Sequence, residues 1–252
     1  MKKIFQGLKS TVVKLNTSEK TNKSIISIII FIRYPENGKV KTRLALTIGD
    51  NYAKEFYKII AQSIVAEVKR VKNSKIYLFS AEIEATEKIK KWLKGNFLVT
   101  NQEGEGLGTR MSNAFLSLFS SGTKKTLLIG TDIPDISKEI IEKASEMLDI
   151  YDIVIGPALD GGYYLLGMKK LYNTLFEKIQ FSVNTVLSQT ILEVEKLGLS
   201  YFILPKLQDI DTEEDLKNWL NNGSRSNLKK EINLIYNLIN GRVPQRCIHC
   251  GE

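Results

Sequence analysis

Thr126-Leu-Leu-Ile-Gly-Thr-Asp-Ile-Pro134 is the stretch on which the fold reading turns. Thr126–Ile129 reads as a short buried strand, Asp132 stands at its carboxyl end, and Pro134 prevents the strand from continuing. A second acid arrives the same way. Ile153–Ile155 reads as a strand and runs into Gly156-Pro-Ala-Leu-Asp-Gly-Gly-Tyr163, which places Asp160 in a glycine-rich loop. In open α/β sheets the carboxyl edge of the strands is where ligands bind.

Outward from this pair, the hydrophobic pattern alternates between short strands and amphipathic helices. Strands are predicted at Ser24–Ile32, Ile76–Phe79, Phe97–Thr100 and Leu127–Ile129. Helices are predicted between them at Asp50–Arg70, Ile83–Leu93 and Thr109–Phe119, and then at Ser137–Leu148 with Ser137 as N-cap. This βαβαβαβα order predicts an α/β fold, a mostly parallel sheet with helices on both faces. The rhythm then changes. Ile153–Ile155 and Tyr163–Met168 are two strands with no room for a crossover helix, so at least one strand must be antiparallel. A helix over Asn184–Leu197, a strand at Tyr201–Leu204, a capped helix start at Thr212 with Asp215, and a helix at Glu231–Ile239 complete the pattern. The expected organisation is an extension at 1–23, the α/β domain at 24–222 and a C-terminal helix and tail at 223–252.

Bulk properties narrow the function classes. With 43% hydrophobic and 25% charged residues over 252 positions, the chain is globular rather than disordered. Its longest apolar run, Ile25–Ile32, is interrupted by Ser27 and is far shorter than the ~20 residues of a membrane span. The net charge of +8 comes from lysines spread along the chain, without an aromatic-interleaved basic motif. That favours small anionic ligands over nucleic acid. Both cysteines lie in Cys247-Ile-His-Cys250, so the body has no disulfide framework and a cytoplasmic location is expected. Cys247, His249 and Cys250 are three soft ligands, one short of a tetrahedral zinc site that a second chain could complete, which leaves room for a homodimer.

Three groups of residues carry chemistry. The loop after the first strand concentrates Arg33, Lys39, Lys41 and Arg43, and Lys and Arg neutralise a pyrophosphate. The alternative is a solvated basic loop. Gln102-Glu-Gly-Glu-Gly-Leu-Gly-Thr-Arg110 combines three glycines with a strand-to-helix transition, which lets a ligand approach the backbone. Gln102, Gly108 and Arg110 are its candidate nucleotide contacts; the alternative is a flexible turn. The third group is the acids Asp132, Asp160, Asp209 and Asp211. Each could merely cap a turn or helix, but four acids at strand ends facing two basic loops favour a metal–nucleotide site holding Mg²⁺ or Mn²⁺.

Four motifs occur in order: Phe31-Ile-Arg-Tyr-Pro-Glu-Asn-Gly-Lys-Val-Lys-Thr-Arg-Leu-Ala45, Gly130-Thr-Asp-Ile-Pro134, Gly156-Pro-Ala-Leu-Asp-Gly-Gly-Tyr-Tyr-Leu-Leu-Gly167 and Asp209-Ile-Asp-Thr-Glu-Glu-Asp-Leu216. Together they resemble the GT-A-fold nucleotide-diphospho-sugar transferase superfamily, in the branch of bacterial and archaeal glycosyltransferases labelled as arsenosugar-biosynthesis glycosyltransferases. The resemblance implies a Rossmann-like GT-A three-layer α/β/α fold, a nucleotide beneath the first loops and a divalent metal held by acids. It implies that Asp132, Asp160 and Asp211 serve the metal, with Asp160 also catalytic near the acceptor. Arg43 and Lys41 would contact phosphates, and Arg110 the nucleotide. The superfamily's D-x-D is absent after the fourth strand, where Thr131 precedes a single Asp132; the literal D-x-D is Asp209–Asp211. The same features resemble nucleotidyltransferases that load a sugar phosphate or phospholactate with a nucleotide. The expected activity is therefore a metal-dependent glycosyltransferase using a nucleotide-sugar. The alternative is a nucleotidyltransferase using a nucleoside triphosphate and releasing pyrophosphate.

Overall fold

In β1 (Ile26–Ile32), alternate side chains part to opposite sides, and this divides the whole core. Ile26, Ile28, Ile30 and Ile32 enter one apolar layer, and Ile29 enters the other. The computed structural model describes residues 25–95, 97–223, 225–239 and 241. The expected N-terminal extension and the Cys247, His249 and Cys250 tail lie outside the described residues.

The remaining strands are β2 (Ser74–Ser80), β3 (Leu98–Asn101), β4 (Thr126–Ile129), β5 (Ile153–Pro157), β6 (Tyr163–Met168) and β7 (Tyr201–Ile203). They form one seven-stranded sheet in the order β3-β2-β1-β4-β6-β5-β7. β1 pairs in parallel with β2 and β4, β2 with β3, and β5 with β7. β6 runs antiparallel to both β4 and β5, as the missing crossover requires.

The helices are α1 (Thr42–Ile48), α2 (Asp50–Lys69), α3 (Thr86–Leu93), α4 (Gly106–Ser120), α5 (Lys138–Ile150), α6 (Thr174–Glu177), α7 (Val186–Lys196), α8 (Glu213–Asn222) and α9 (Ser226–Ile239). Buried side chains of α1, α2, α3, α5, α8 and α9 share the layer of Ile28 and Ile30. Those of α4, α6 and α7 share the layer of Ile29. The architecture is the expected three-layer α/β/α arrangement with a mostly parallel sheet. Leu228 and Ile232 of α9 are buried in the same core as Ile60 and Ile64 of α2.

Several boundaries differ from expectation. α1 forms where a continuous loop was expected, because Lys41 in the left-handed region (φ 47°, ψ 44°) turns the chain and Gly49 (φ 84°) separates α1 from α2. α4 starts three residues early, at Gly106, so Arg110 lies in its second turn. α6, a single turn, is too short to show a period.

The order of strands decides where a ligand can sit. From β1 the chain winds outward through β2 and β3, then returns to place β4 on β1's other side. The crevice outside the carboxyl ends of β1 and β4 is the switch point of the sheet. The start of the antiparallel β6 meets the same edge, and the turn before it brings Asp160 there. Gly161 closes that turn with φ +90°, and a Cβ on it would collide with the backbone carbonyl of Asn184. Gly161→Ala is therefore expected to lower stability by about 2 kcal/mol or more. A urea denaturation midpoint equal to that of the unsubstituted protein would contradict this.

Candidate active site

An open cleft of about 990 Å³ occupies this crevice, and its walls include Arg33, Lys41, Arg110, Asp132, Asp160 and Asp209. Lys41 is its centre. Its side chain is 2% exposed, and Nζ lies 2.5 Å from Asp132 Oδ1 and 3.2 Å from Asp211 Oδ1. Burial alone would lower the lysine's pKa, but the charges of Asp132 and Asp211 outweigh it and hold the ammonium above its ordinary value. The left-handed backbone at Lys41 costs energy in a non-glycine residue. The two ion pairs offset it.

Each acid around Lys41 is placed by its backbone. The carbonyl of Asp132 accepts from Ile210 N (3.3 Å), which fixes the 209–211 segment against the end of β4. Asp211 Oδ2 also accepts from Arg43 Nη1 (3.3 Å), and its N–H donates to Asp215 (3.2 Å) in the expected capping box of α8. One residue before Asp132, Thr131 Oγ1 bonds to Tyr57 Oη (3.0 Å) and donates to the carbonyl of Phe31 (3.2 Å). Tyr57 Oη also accepts from Arg33 N (2.9 Å), so α2 ties the ends of β1 and β4 together. Burial pushes the Tyr57 phenol up and keeps it neutral. Tyr57 and Thr131 were absent from the sequence-based site; a tyrosine on a buried helix face gives no signal of what its hydroxyl will reach.

Asp160 also lines the cleft, and its Oδ1 accepts from Gly162 N (2.8 Å), a tight Asx turn. Half-buried Asp209 has its carboxyl pKa raised, first by burial and then by the negative charge of Asp160. The two acids thus share one field, and no ion pair to either occurs among the described residues.

The basic residues fare differently. Arg33 pairs with Glu82 (2.8 Å), Lys39 with Glu36 (2.7 Å) and Arg43 with Asp211 (3.3 Å). All three still line the cleft. Arg110 donates from Nε to the carbonyl of Gly104 (3.1 Å). Among the described residues it is the cleft-lining cation without a carboxylate partner, so its guanidinium is the readiest anion contact. Gln102 also lines the cleft, anchored through Nε2 to the carbonyl of Phe79 (3.0 Å).

Gly108, the third residue of α4, is buried, and a Cβ there would strike the ring of Phe181. Its role is to let the 181–184 segment close against α4. Among the described residues, Asp132, Asp160 and Asp211 are not gathered into a group of three or more His, Cys, Asp or Glu that could hold a metal ion by themselves. The reason is local, because the Lys41 ammonium stands between Asp132 and Asp211.

Comparison with known proteins converges on this fold. A family model described as an uncharacterized protein conserved in bacteria, DUF2064, matches residues 64–183. The crystal structure of a candidate nucleotide-diphospho-sugar transferase from Desulfovibrio desulfuricans G20 is 33% identical, with a TM-score of 0.80 over 87% of this chain and 98% of that one. A 2-phospho-L-lactate guanylyltransferase from Methanocaldococcus vulcanius is 25% identical over 211 residues, 81% of this chain and 89% of the relative. The 4-diphosphocytidyl-2C-methyl-D-erythritol synthase of Anaerococcus prevotii shares the fold, with a TM-score of 0.53 at 18% identity over 78% of this chain and 94% of its own.

The raised carboxyl of Asp209 has a consequence for stability. A carboxyl whose pKa rises on folding binds its proton more tightly in the folded state, so it favours folding at low pH and opposes it once ionised. Asp209→Asn should therefore raise the melting temperature at neutral pH. The gain should shrink as pH falls through the folded value and vanish below the unfolded value of about 3.9. Melting curves of both proteins across this range check it; a gain independent of pH would contradict the assignment.

Proposed function

Since the chain belongs to the DUF2064 family, we propose that this member is a nucleotidyltransferase: it joins the nucleoside monophosphate of a nucleoside triphosphate to a small phosphorylated acceptor and releases pyrophosphate. The observation that carries the reading is the buried Lys41 ammonium, which links a basic loop after β1 to an acidic loop after β4 at the switch point of the sheet. The similarity to a guanylyltransferase over 89% of that protein's length supports it.

In this reading an oxygen of the acceptor phosphate attacks the α-phosphorus, the bond to the α–β bridging oxygen breaks, and pyrophosphate leaves with that electron pair. Arg33, Lys39, Lys41 and Arg43 neutralise the leaving pyrophosphate, and Arg110 holds a further phosphate from the α4 side. Asp160, which lines the same cleft, orients the acceptor. Tyr57 and Thr131 hold the two strand ends at a fixed separation, so the groups need little rearrangement when substrate arrives.

The donor set fits a divalent cation. Lys41 is a positive charge already standing between two carboxylates, and Asp160 with Asp209 is an acid pair that has no cationic partner among the described residues. Mg²⁺ and Mn²⁺ characteristically take one or two carboxylates together with substrate phosphates, so a full protein cage is not required. Asp132 would hold the ion from the β4 side and Asp160 or Asp209 from the hairpin side. When bound, the ion would polarise the phosphate oxygens and neutralise charge that develops on them.

One observation favours a second reading. The Desulfovibrio relative, described as a candidate nucleotide-diphospho-sugar transferase, has the higher identity, 33%. A glycosyltransferase would use the same cations on a nucleoside diphosphate leaving group, breaking the sugar C1–O bond instead. The two separate cleanly by product. Incubation with GTP or CTP and a phosphorylated hydroxy acid or sugar phosphate should give sustained pyrophosphate release. Asp132→Asn should keep the fold and lower that rate by about a hundredfold. Turnover of a nucleotide-sugar to nucleoside diphosphate, with no pyrophosphate from any triphosphate, would overturn the proposal in favour of the glycosyltransferase.

A further inference from the structure

Asp132 has a carboxylate 58% exposed, and its ion-pair partner among the described residues is Lys41. Its direction is therefore inherited from the backbone of the 133–137 segment between β4 and α5. That segment is gripped from behind by residues that never reach the cleft. Arg225, in the α8–α9 connection, donates from Nη1 to the carbonyls of Pro134 and Ile136, both at 3.3 Å. Its Nη2 donates to Glu67 Oε1 of α2 at 2.9 Å. The other oxygen, Glu67 Oε2, accepts from Lys138 N at 2.9 Å, where α5 begins. Trp219 of α8 adds a bond from Nε1 to Asp135 Oδ2 at 2.7 Å.

We infer that Arg225 is a positioning residue for the reaction centre, setting the Asp132 loop through the carbonyls of Pro134 and Ile136. The inference rests on the reading that Asp132 serves the metal–nucleotide site. A planar guanidinium suits the task, since its fork reaches the Pro134 and Ile136 carbonyls and a carboxylate at once. The charge is neutralised locally: the Glu67 side chain is 9% exposed, and both Arg225 and Arg70 pair with it. Arg225, in the connection just before α9, thus links the C-terminal part of the chain to the segment that follows Asp132. Partners that orient a ligating carboxylate act on the metal even though they do not touch it.

Arg225→Met removes the grip while Arg70 still neutralises Glu67. The expected result is a kcat lowered about tenfold, with the KM for GTP nearly unchanged. A second readout is independent of turnover. In thermal-shift titrations of GTP with Mn²⁺, the variant should need about tenfold more Mn²⁺ to reach the same shift, while the shift with GTP alone is unaltered. Arg225→Lys restores a charge to Glu67 without the fork, so it should recover the melting temperature but not the full kcat. It also carries the test if the methionine variant does not fold. A lysine or methionine variant with a lowered melting temperature but wild-type kcat and Mn²⁺ dependence would overturn the inference, leaving Arg225 a structural clamp. An unsubstituted protein with no Mn²⁺-dependent nucleotide shift would instead remove the role of Asp132, and the inference with it.

Discussion

The Lys41 ammonium, buried between Asp132 and Asp211, is the contact on which the cleft depends. A buried charge is expensive unless paired, and here two carboxylates from loops far apart in sequence meet the one cation. The carboxylates are themselves part exposed, 58% and 42%, so the pairing keeps one end in solvent, open to the cleft. The same contact makes an acidic loop and a basic loop one unit. Without it, Asp132 would face Asp211 with no charge between them, and α1 would lose the residue that turns the chain into its first turn.

Topology makes that contact available. β1 and β4 are neighbours only because the chain winds out through β3 and returns across β1. The loops following those two strands therefore open on the same crevice. The antiparallel β6 then inserts between β4 and β5, and the Asp160 turn before it lies at the edge of the parallel strands. A strictly parallel sheet would have required a crossover helix in the place of that turn. The Tyr57 hydroxyl, bonded to both strand ends, converts this neighbourhood into a fixed spacing.

Much of the fold is legible in the sequence because it rests on period. The alternation in Ile26–Ile32 divides the core, and the lack of space between Pro157 and Tyr163 marks the antiparallel turn. α1 is not legible, because it depends on a left-handed lysine that no propensity announces. The candidate site is legible as residue types but not as pairings. Lys41 and Asp211 lie 170 positions apart, and Arg33 and Glu82 lie 49 apart, so nothing local tells which cation is already neutralised. Glycines show the same limit. Gly108 and Gly161 both stand in glycine-rich segments, yet one makes room for the Phe181 ring and the other takes a backbone shape forbidden to larger residues. Arg225 carries no motif at all; its importance lies in the carbonyls it meets.

The most direct test of the account is calorimetric titration of GTP in the presence of Mg²⁺ into the unsubstituted protein and Lys41→Met. The substitution keeps the length of the side chain and removes the charge. The account expects a cooperative fold with far-ultraviolet circular dichroism unchanged, and nucleotide affinity at least about tenfold weaker. A Lys41→Met protein that binds the nucleotide as tightly as the unsubstituted one would contradict it, because the cation joining the two loops would then play no part in holding phosphate.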